Sequence, residues 1–202
     1  MGKISLFYAT NNKNKLHNMY YRLKDYPIDI VSPDDLNITL DIEENGNTAV
    51  ENALLKATKY YKVVNMPTIA GDSGMYIEGL RKEKQPGLYV RRVNGKVLSD
   101  DEMIDYYSGL AKETKTDCFI NYFTGIALIT NQGTFTIELK DAPLKLSPVP
   151  NSNRKHKGNP LDVISLIKDG RYFNDISDDE RVELDKKGEK EFTDFIINNL
   201  LK

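Results

Sequence analysis

Residues 3–23 read KISLFYATNNKNKLHNMYYRL, and this stretch does most to decide the fold class. Its first part, Lys3–Ala9, is short and apolar, which is typical of a buried strand. A polar turn, Thr10–Lys15, follows it. Apolar residues then recur at the i, i+3, i+4 and i+7 spacing of one helix face, at Leu16, Met19, Tyr20 and Leu23. The stretch therefore predicts a strand, a polar loop and a helix in immediate succession.

Strand and helix patterns continue to alternate along the first half of the chain. Short apolar runs predict strands at Ile28–Val31 and at Thr68–Ala70, and the second of them is expected to end in the turn Gly71–Gly74. Capping-box patterns at Thr48–Glu51 and Ser99–Glu102 each precede a helical apolar stripe, so both predict the start of a helix.

The second half of the chain adds a hairpin. Phe119–Thr130 and Thr134–Lys140 are rich in strand-forming residues, and Asn131–Gly133 between them is a turn signal. A final helix is predicted over Glu189–Leu201. Because alternating strands and helices are followed by a hairpin, the sequence predicts an α/β fold whose sheet is partly antiparallel.

Composition excludes several classes of partner. The chain has 28 basic and 30 acidic residues and a net charge of −2, so it lacks the basic stripe that nucleic-acid binding demands. No apolar run approaches the ~18 residues of a membrane span, and the N-terminus lacks a signal-peptide pattern. We therefore expect a soluble cytoplasmic protein with no nucleic-acid or membrane partner. Cys118 is the only cysteine, which excludes an intrachain disulfide.

The polar turn after the first predicted strand is a candidate phosphate site. A helix N-terminus presents unpaired backbone N–H groups and a partial positive charge, both of which favour phosphate. Thr10, Asn12 and Lys15 could add a hydroxyl, an amide and an ammonium group. The turn is not a glycine-rich Walker loop, and a solvated asparagine-rich turn would explain the pattern about as well.

Two groups of acidic residues are candidate metal ligands. Magnesium prefers a couple of carboxylates together with waters and phosphate oxygens. Glu43 and Glu44 lie in an acidic loop, and Asp72 follows an apolar strand, where open α/β sheets bind ligands. Solvated loop charges and an ordinary turn are the alternative explanations. Lys56, taken alone, is an ordinary lysine on a helix surface.

Taken together, these segments resemble the inosine triphosphate pyrophosphatase family, whose members are also called non-canonical purine NTP pyrophosphatases. The match covers roughly residues 3–92 and is far weaker afterwards. Five segments agree in order and approximate spacing: Thr10-Asn11-Asn12-Lys13-Asn14-Lys15, Glu43-Glu44-x-Gly46, Glu51-Asn52-Ala53-x-x-Lys56-Ala57, Asp72-Ser73-Gly74 and Pro86-Gly87-x-Tyr89-x-x-Arg92.

The resemblance implies a fold and an activity. The implied fold is an elongated mixed β-sheet flanked by helices, in one domain over residues 1–202 with two lobes and a central cleft. The implied protein is a homodimer that hydrolyses inosine or xanthosine triphosphates, ribo or deoxy, to the monophosphate and pyrophosphate with Mg²⁺. By position, Glu43 would hold the metal, and Asp72 would hold the metal or serve as general base. Lys15 and Lys56 would complete the catalytic set.

The resemblance also implies substrate contacts. Those expected at the phosphates and nearby are Thr10, Asn11, Asn12, Lys13, Asn14, Ser73 and Arg92. Those expected near the base are Asp162, Arg181, Lys186 and Lys187. The basic segment Arg154–Lys157 is either an exposed charge cluster or a loop that folds over the phosphates.

The C-terminal half departs from the family pattern. The family's Phe-Gly-Tyr-Asp is replaced by Asn159–Asp162, so the aromatic residue that would stack on a purine is absent. Its Ser-His-Arg aligns with Asp185–Lys187, and lysine lacks arginine's planar fork. Two alternatives therefore stay open beside the standard activity. The chain could be an inactive nucleotide-binding or sensor protein of the same fold, or an active enzyme retuned to another nucleotide.

Overall fold

A computed structural model describes residues 2–114, 117–153 and 159–201. The chain divides into two compact units. The first comprises Met1–Ser73, Thr124–Leu139 and Lys187–Lys202, and the second comprises Gly74–Phe123 and Lys140–Lys186. The basic segment Arg154–Lys157 lies outside the described residues, so its role stays a prediction.

Strands and helices alternate as the α/β pattern predicts. The strands are β1 (Ile4–Tyr8), β2 (Ile28–Val31), β3 (Thr68–Ile77), β4 (Arg92–Val93), β5 (Lys96–Val97), β6 (Phe119–Thr130), β7 (Gly133–Lys140), β8 (Leu144–Leu146) and β9 (Ser165–Leu166). The α-helices are α1 (Lys13–Leu23), α2 (Ala49–Val64), α3 (Asp100–Glu113), α4 (Asp178–Leu184) and α5 (Lys186–Leu200). β1 is parallel to β2 and β3, whereas β6 is antiparallel to β8, so the predicted mixed sheet is confirmed.

Helices cover both faces of the sheet in the first unit. The strand order there is β2-β1-β3-β6, with β7 beside β6. Successive strand residues point to opposite faces, so Leu6 and Phe7 of β1 enter different cores. The helices α1 and α5 bury apolar residues on the Leu6 face, namely Met19, Leu23, Phe192, Ile196 and Leu200. The helix α2 covers the Phe7 face with Ala53, Ala57 and Tyr60.

The second unit has a core of its own. β8 pairs in antiparallel fashion with both β6 and β9, and β4 and β5 form a separate two-stranded sheet. The helix α3 buries Met103, Ile104 and Tyr107 in a cluster with residues such as Leu146 and Leu161. Among the helices that the structure describes, none combines the length and hydropathy that a bilayer crossing requires.

The course of β3 corrects one prediction. A turn was expected at Gly71–Gly74, but the strand continues to Ile77, so Asp72 lies inside a strand. The glycine at position 74 is explained by packing, because a Cβ there would lie 2.1 Å from the ring atom Cζ of Phe123. Close approach, and not a turn, requires this glycine.

The helix α4 was not predicted, although its signal is present in the sequence. Ser177–Glu180 reads Ser-Asp-Asp-Glu, the same four residues as Ser99–Glu102. Both segments form complete capping boxes in the structure. The final helix α5 begins at Lys186, three residues before its predicted start at Glu189.

We expect Gly125→Ala to destabilise the first unit. The start of α2 lies so close to β6 that a Cβ at Gly125 would be 2.2 Å from the Val50 nitrogen and 2.3 Å from the Ala49 carbonyl carbon. Both neighbours are backbone atoms that no rotamer change can move, and overpacking typically costs ~1–3 kcal/mol or more. Chemical denaturation would measure the loss in free energy of unfolding.

Gly109→Ala is the matched control for this prediction. Gly109 lies within α3, and a Cβ there would meet nothing within 4 Å. Because alanine favours helix over glycine, this variant should be neutral or gain up to about 1 kcal/mol. Equal stability of the two alanine variants would contradict the close approach of α2 to β6.

Candidate functional site

The loop before α1 is ordered by its own side chains. Asn12 is the N-cap, and its Oδ1 accepts hydrogen bonds from the backbone N–H groups of Asn14 at 2.9 Å and Lys15 at 3.2 Å. Thr10 Oγ1 accepts from the Asn12 N–H at 3.2 Å. No acidic side chain lies in the first turn of α1. The positive end of the helix dipole is therefore available to an anion.

In the first unit, the charge of Lys15 interacts with one other lysine and two carboxylates. Lys15 is half-buried, and burial lowers its pKa. The nearby Lys56 lowers that pKa further, whereas Asp72 and Glu44 raise it. The Lys56 ammonium forms an ion pair with Glu44, with 18% of the lysine side chain exposed. The fold thus brings together charged groups from α1, α2, β3 and the acidic loop.

Asp72 is held on the face of β3 that α2 covers. It follows Ala70 by two residues, so both side chains lie on the same face of the strand. Asn52 of α2 donates from Nδ2 to Asp72 Oδ2 at 2.9 Å. Ser73 points to the opposite face, where its hydroxyl lies 2.9 Å from Thr124 Oγ1.

The acidic loop is fastened to the first turn of α2. The N–H of Gly46 donates to Asn52 Oδ1 at 2.8 Å, and the N–H of Asn47 donates to Glu51 Oε2 at 2.7 Å. Thr48 caps the helix by accepting from the Glu51 N–H at 3.1 Å. These bonds fix the backbone directly after the two adjacent glutamates.

Of those two glutamates, Glu44 is the one whose carboxylate interacts with the two lysines. It pairs with Lys56 and raises the pKa of Lys15. Glu43, which the resemblance assigns to the metal, is exposed, as is Glu44. Its metal role stays a prediction, but the charge contacts of the site are made by its neighbour. The spacing of the motif alone does not show which of the two carboxylates contacts the lysines.

The donor set suits a cation that is shared with a substrate. Within residues 2–114, 117–153 and 159–201, no group of three or more His, Cys, Asp or Glu residues could hold a metal ion. Asp72 and Glu44 nevertheless both act on Lys15. Magnesium is commonly held by one or two carboxylates plus substrate phosphates and water. The residues present therefore fit a hard divalent cation that binds together with a phosphate.

The predicted residues in the second unit form other contacts. Asp162 is 3% exposed and accepts a hydrogen bond from Arg181 Nη1 at 3.2 Å. Arg181 also donates to the Phe173 carbonyl at 2.8 Å, and its guanidinium carbon lies 4.2 Å from the centre of the Phe173 ring. The exposed Arg92 lies over the Tyr89 ring at 5.5 Å.

The remaining predicted residues contribute little to these clusters. Lys186 is exposed and pairs with Glu183 at 3.2 Å. Asn14 is half-buried, and three further residues are exposed, namely Asn11, Lys13 and Lys187. The sequence analysis missed Asn52 as a site residue, although its position in the Glu51-Asn52-Ala53 motif was a signal.

Comparisons with known proteins agree with the resemblance. Residues 6–141 match the sequence model of the Ham1 family. The chain is 38% identical over 99 residues to a dITP/XTP pyrophosphatase of Leptospira interrogans, covering 49% of each chain. It is 28% identical over 214 residues to a dITP/XTP pyrophosphatase of Borreliella burgdorferi, covering 97% of this chain and 98% of that protein. It spans about half the length of the curated relatives that it matches at 34% to 44% identity.

A solved structure supports the fold. The HAM1 protein from Coxiella burnetii has a TM-score of 0.77 to this chain at 23% sequence identity. The similarity covers 96% of this chain and 99% of that protein. The α/β fold with a mixed sheet is thus shared with a protein whose sequence differs at most positions.

We expect Lys15→Met to stabilise the metal-free protein at neutral pH. Because the pKa of Lys15 is lowered, the folded state binds this proton less tightly than the unfolded chain does. The half-buried charge of Lys15 therefore destabilises the fold at every pH below the folded pKa. That cost disappears as the pH rises to the ordinary lysine value of about 10.4. Urea unfolding at pH 7 and near pH 10.5 would measure the change.

The exposed Lys13 on the same helix provides the control for this prediction. Lys13→Met should change the free energy of unfolding little at either pH, because the replaced charge is solvated. A Lys15→Met variant that is less stable than wild type at pH 7, or whose advantage does not shrink at high pH, would contradict the prediction.

Proposed function

Since this chain belongs to the Ham1 family, we propose that it hydrolyses a nucleoside triphosphate, ribo or deoxy, to the monophosphate and pyrophosphate. The observation that carries the proposal is the convergence of Lys15, Lys56, Glu44 and Asp72 in the first unit. Relatives named dITP/XTP pyrophosphatases support this reaction class and favour non-canonical purines as substrates.

The lysines are suited to a polyphosphate. A nucleoside triphosphate carries about four negative charges, which cationic groups must offset before a nucleophile can approach. Lys15 and Lys56 supply two ammonium groups, and the start of α1 adds the positive end of its dipole, with no acidic side chain in its first turn. The ion pair with Glu44 holds Lys56 in place before substrate arrives.

The carboxylates are suited to a divalent cation, and we propose Mg²⁺. Asp72 and Glu44 would hold it together with phosphate oxygens, and when bound it would supply positive charge to the reacting phosphate. Asp72 would orient and deprotonate the attacking water. The water oxygen bonds to the α-phosphorus, the bond from that phosphorus to the bridging oxygen breaks, and pyrophosphate leaves.

Other features implied by the resemblance stay predictions. These are the base contacts of Asp162, Arg181, Lys186 and Lys187, the phosphate contacts of the α1 loop, Ser73 and Arg92, the homodimer and the cytoplasmic location. Analytical ultracentrifugation would measure the oligomeric state.

A panel of nucleotides tests the proposed activity. With Mg²⁺, the purified protein should release pyrophosphate from at least one of ITP, dITP, XTP and the common nucleoside triphosphates. Asp72→Asn should lower kcat about 10²–10⁴-fold, because general-base catalysis contributes that much. Tight NTP binding in calorimetry without turnover of any nucleotide would favour the binding-only alternative over an enzyme.

A pair of variants decides which glutamate takes part. Glu44→Gln should lower kcat/KM about 100-fold, because Glu44 would help to hold the cation that offsets the phosphate charge, and losing such stabilisation of the transition state costs about 10²–10³. Glu43→Gln should lower it much less, since the described ion pair with Lys56 is made by Glu44. Steady-state kinetics with varied Mg²⁺ would measure both. A larger loss in Glu43→Gln would instead support the assignment made from the resemblance.

A further inference from the structure

Asn52 is a buried amide that links two parts of the candidate site. Only 3% of the residue is exposed. Its Oδ1 accepts from the Gly46 N–H at 2.8 Å, and its Nδ2 donates to Asp72 Oδ2 at 2.9 Å. A backbone N–H can only donate and a carboxylate can only accept, so these two partners fix the orientation of the amide. A carboxamide supplies both the acceptor and the donor that these partners require, from one short side chain.

We propose that Asn52 is a positioning residue that orients Asp72 and couples it to the acidic loop. The inference deepens the proposed function and rests on it. Among the described contacts, the bond from Asn52 engages Oδ2 of Asp72. The Oδ1 atom of Asp72 is therefore the oxygen left for a water molecule or a cation. The hydrogen bond to Oδ2 fixes the plane of the carboxylate.

The other arm of the amide reaches the loop that carries Glu44. A Cβ at Gly46 would lie 2.7 Å from the Glu51 Cβ and 2.8 Å from Asn52 Oδ1, so the loop approaches α2 as closely as only glycine permits. Glu44 lies two residues before Gly46 in the chain. One side chain thus restrains both carboxylates that we propose to share a cation.

A purely structural role makes a different prediction. If Asn52 only fastened the loop, any residue that still accepted the Gly46 N–H would suffice. If it also orients Asp72, the donor half of the amide is indispensable. Hydrogen-bond partners that orient metal-ligating groups are typically worth 10–100-fold in activity or metal affinity.

Asn52→Asp separates the two roles. It keeps the size of the side chain and an acceptor for the Gly46 N–H, but it replaces the donor to Asp72 by an oxygen and adds a negative charge. Asn52→Leu, which removes the donor without adding a charge, is the neutral comparison. We expect kcat for the best nucleotide of the panel to fall about 10–100-fold, with KM changed less than about threefold because the lysines are untouched. A fall in kcat of less than tenfold would overturn the proposal.

Glu51→Ala is the matched control in the same helical turn. It removes the acceptor for the Asn47 N–H and so loosens the loop, but the described hydrogen bond of the Glu51 side chain goes to Asn47 and not to the carboxylate of Asp72. Because the bond from the Gly46 N–H to Asn52 still anchors the loop, its kcat should stay within about threefold of wild type. A loss as large as that of Asn52→Asp would show that loop anchoring explains the effect, which would also overturn the proposal.

Manganese binding to the nucleotide-free protein gives a readout that does not depend on turnover. Electron paramagnetic resonance should show Mn²⁺ affinity about 10–100-fold weaker in Asn52→Leu and unchanged in Glu51→Ala, with thermal unfolding used to verify that each variant is folded. If Asn52→Leu does not fold, the isosteric Asn52→Asp decides the question through kcat. Equal Mn²⁺ affinity in wild type and a folded Asn52→Leu would overturn the proposal.

Wild-type protein that releases no pyrophosphate would refute the proposed function, while the comparison of Mn²⁺ affinities would still test the role of Asn52.

Discussion

The close approach of the first turn of α2 to the sheet of the first unit is the constraint on which the candidate site depends. Gly125 permits it, because any side chain there would collide with the backbone of Ala49 and Val50. The approach buries Asn52 within hydrogen-bonding distance of Asp72 and fixes the acidic loop beside it. Ala53 and Ala57 continue the close packing along the helix. A site built in this way is held by rigid elements and not by a free loop.

The charge on Lys15 is held at a cost in stability. Burial and Lys56 outweigh the two carboxylates in their effect on Lys15, so its pKa is lowered. A polyphosphate with its cation would supply the negative charge that Lys15 lacks in the free protein. Perturbed groups of this kind are concentrated at functional sites, where the fold retains an unfavourable charge for the sake of binding or chemistry.

Much of the fold and part of the site could be predicted from local patterns. The bounds of β2 and β6 agree with the apolar runs, and α2 and α3 begin directly after the predicted N-cap residues Thr48 and Ser99. One prediction was wrong because one local pattern has two physical meanings. Gly71–Gly74 reads as a turn, yet at Gly74 glycine is required by the ring of Phe123. Glu43 and Glu44 are indistinguishable by spacing, yet only the second has a described bond to Lys56.

The sequence by itself determined the α/β class and the family. It also determined which charged residues within residues 3–92 are candidates for the site. It could do so because periodicity, capping and motif order are local properties of the chain. Only the tertiary structure decided which carboxylate faces the lysines and that Asn52 joins Gly46 to Asp72. Asn52 and Asp72 are 20 residues apart in the chain. Their contact exists because α2 packs on one particular face of β3, and packing of this kind is set by the whole core and not by any one segment.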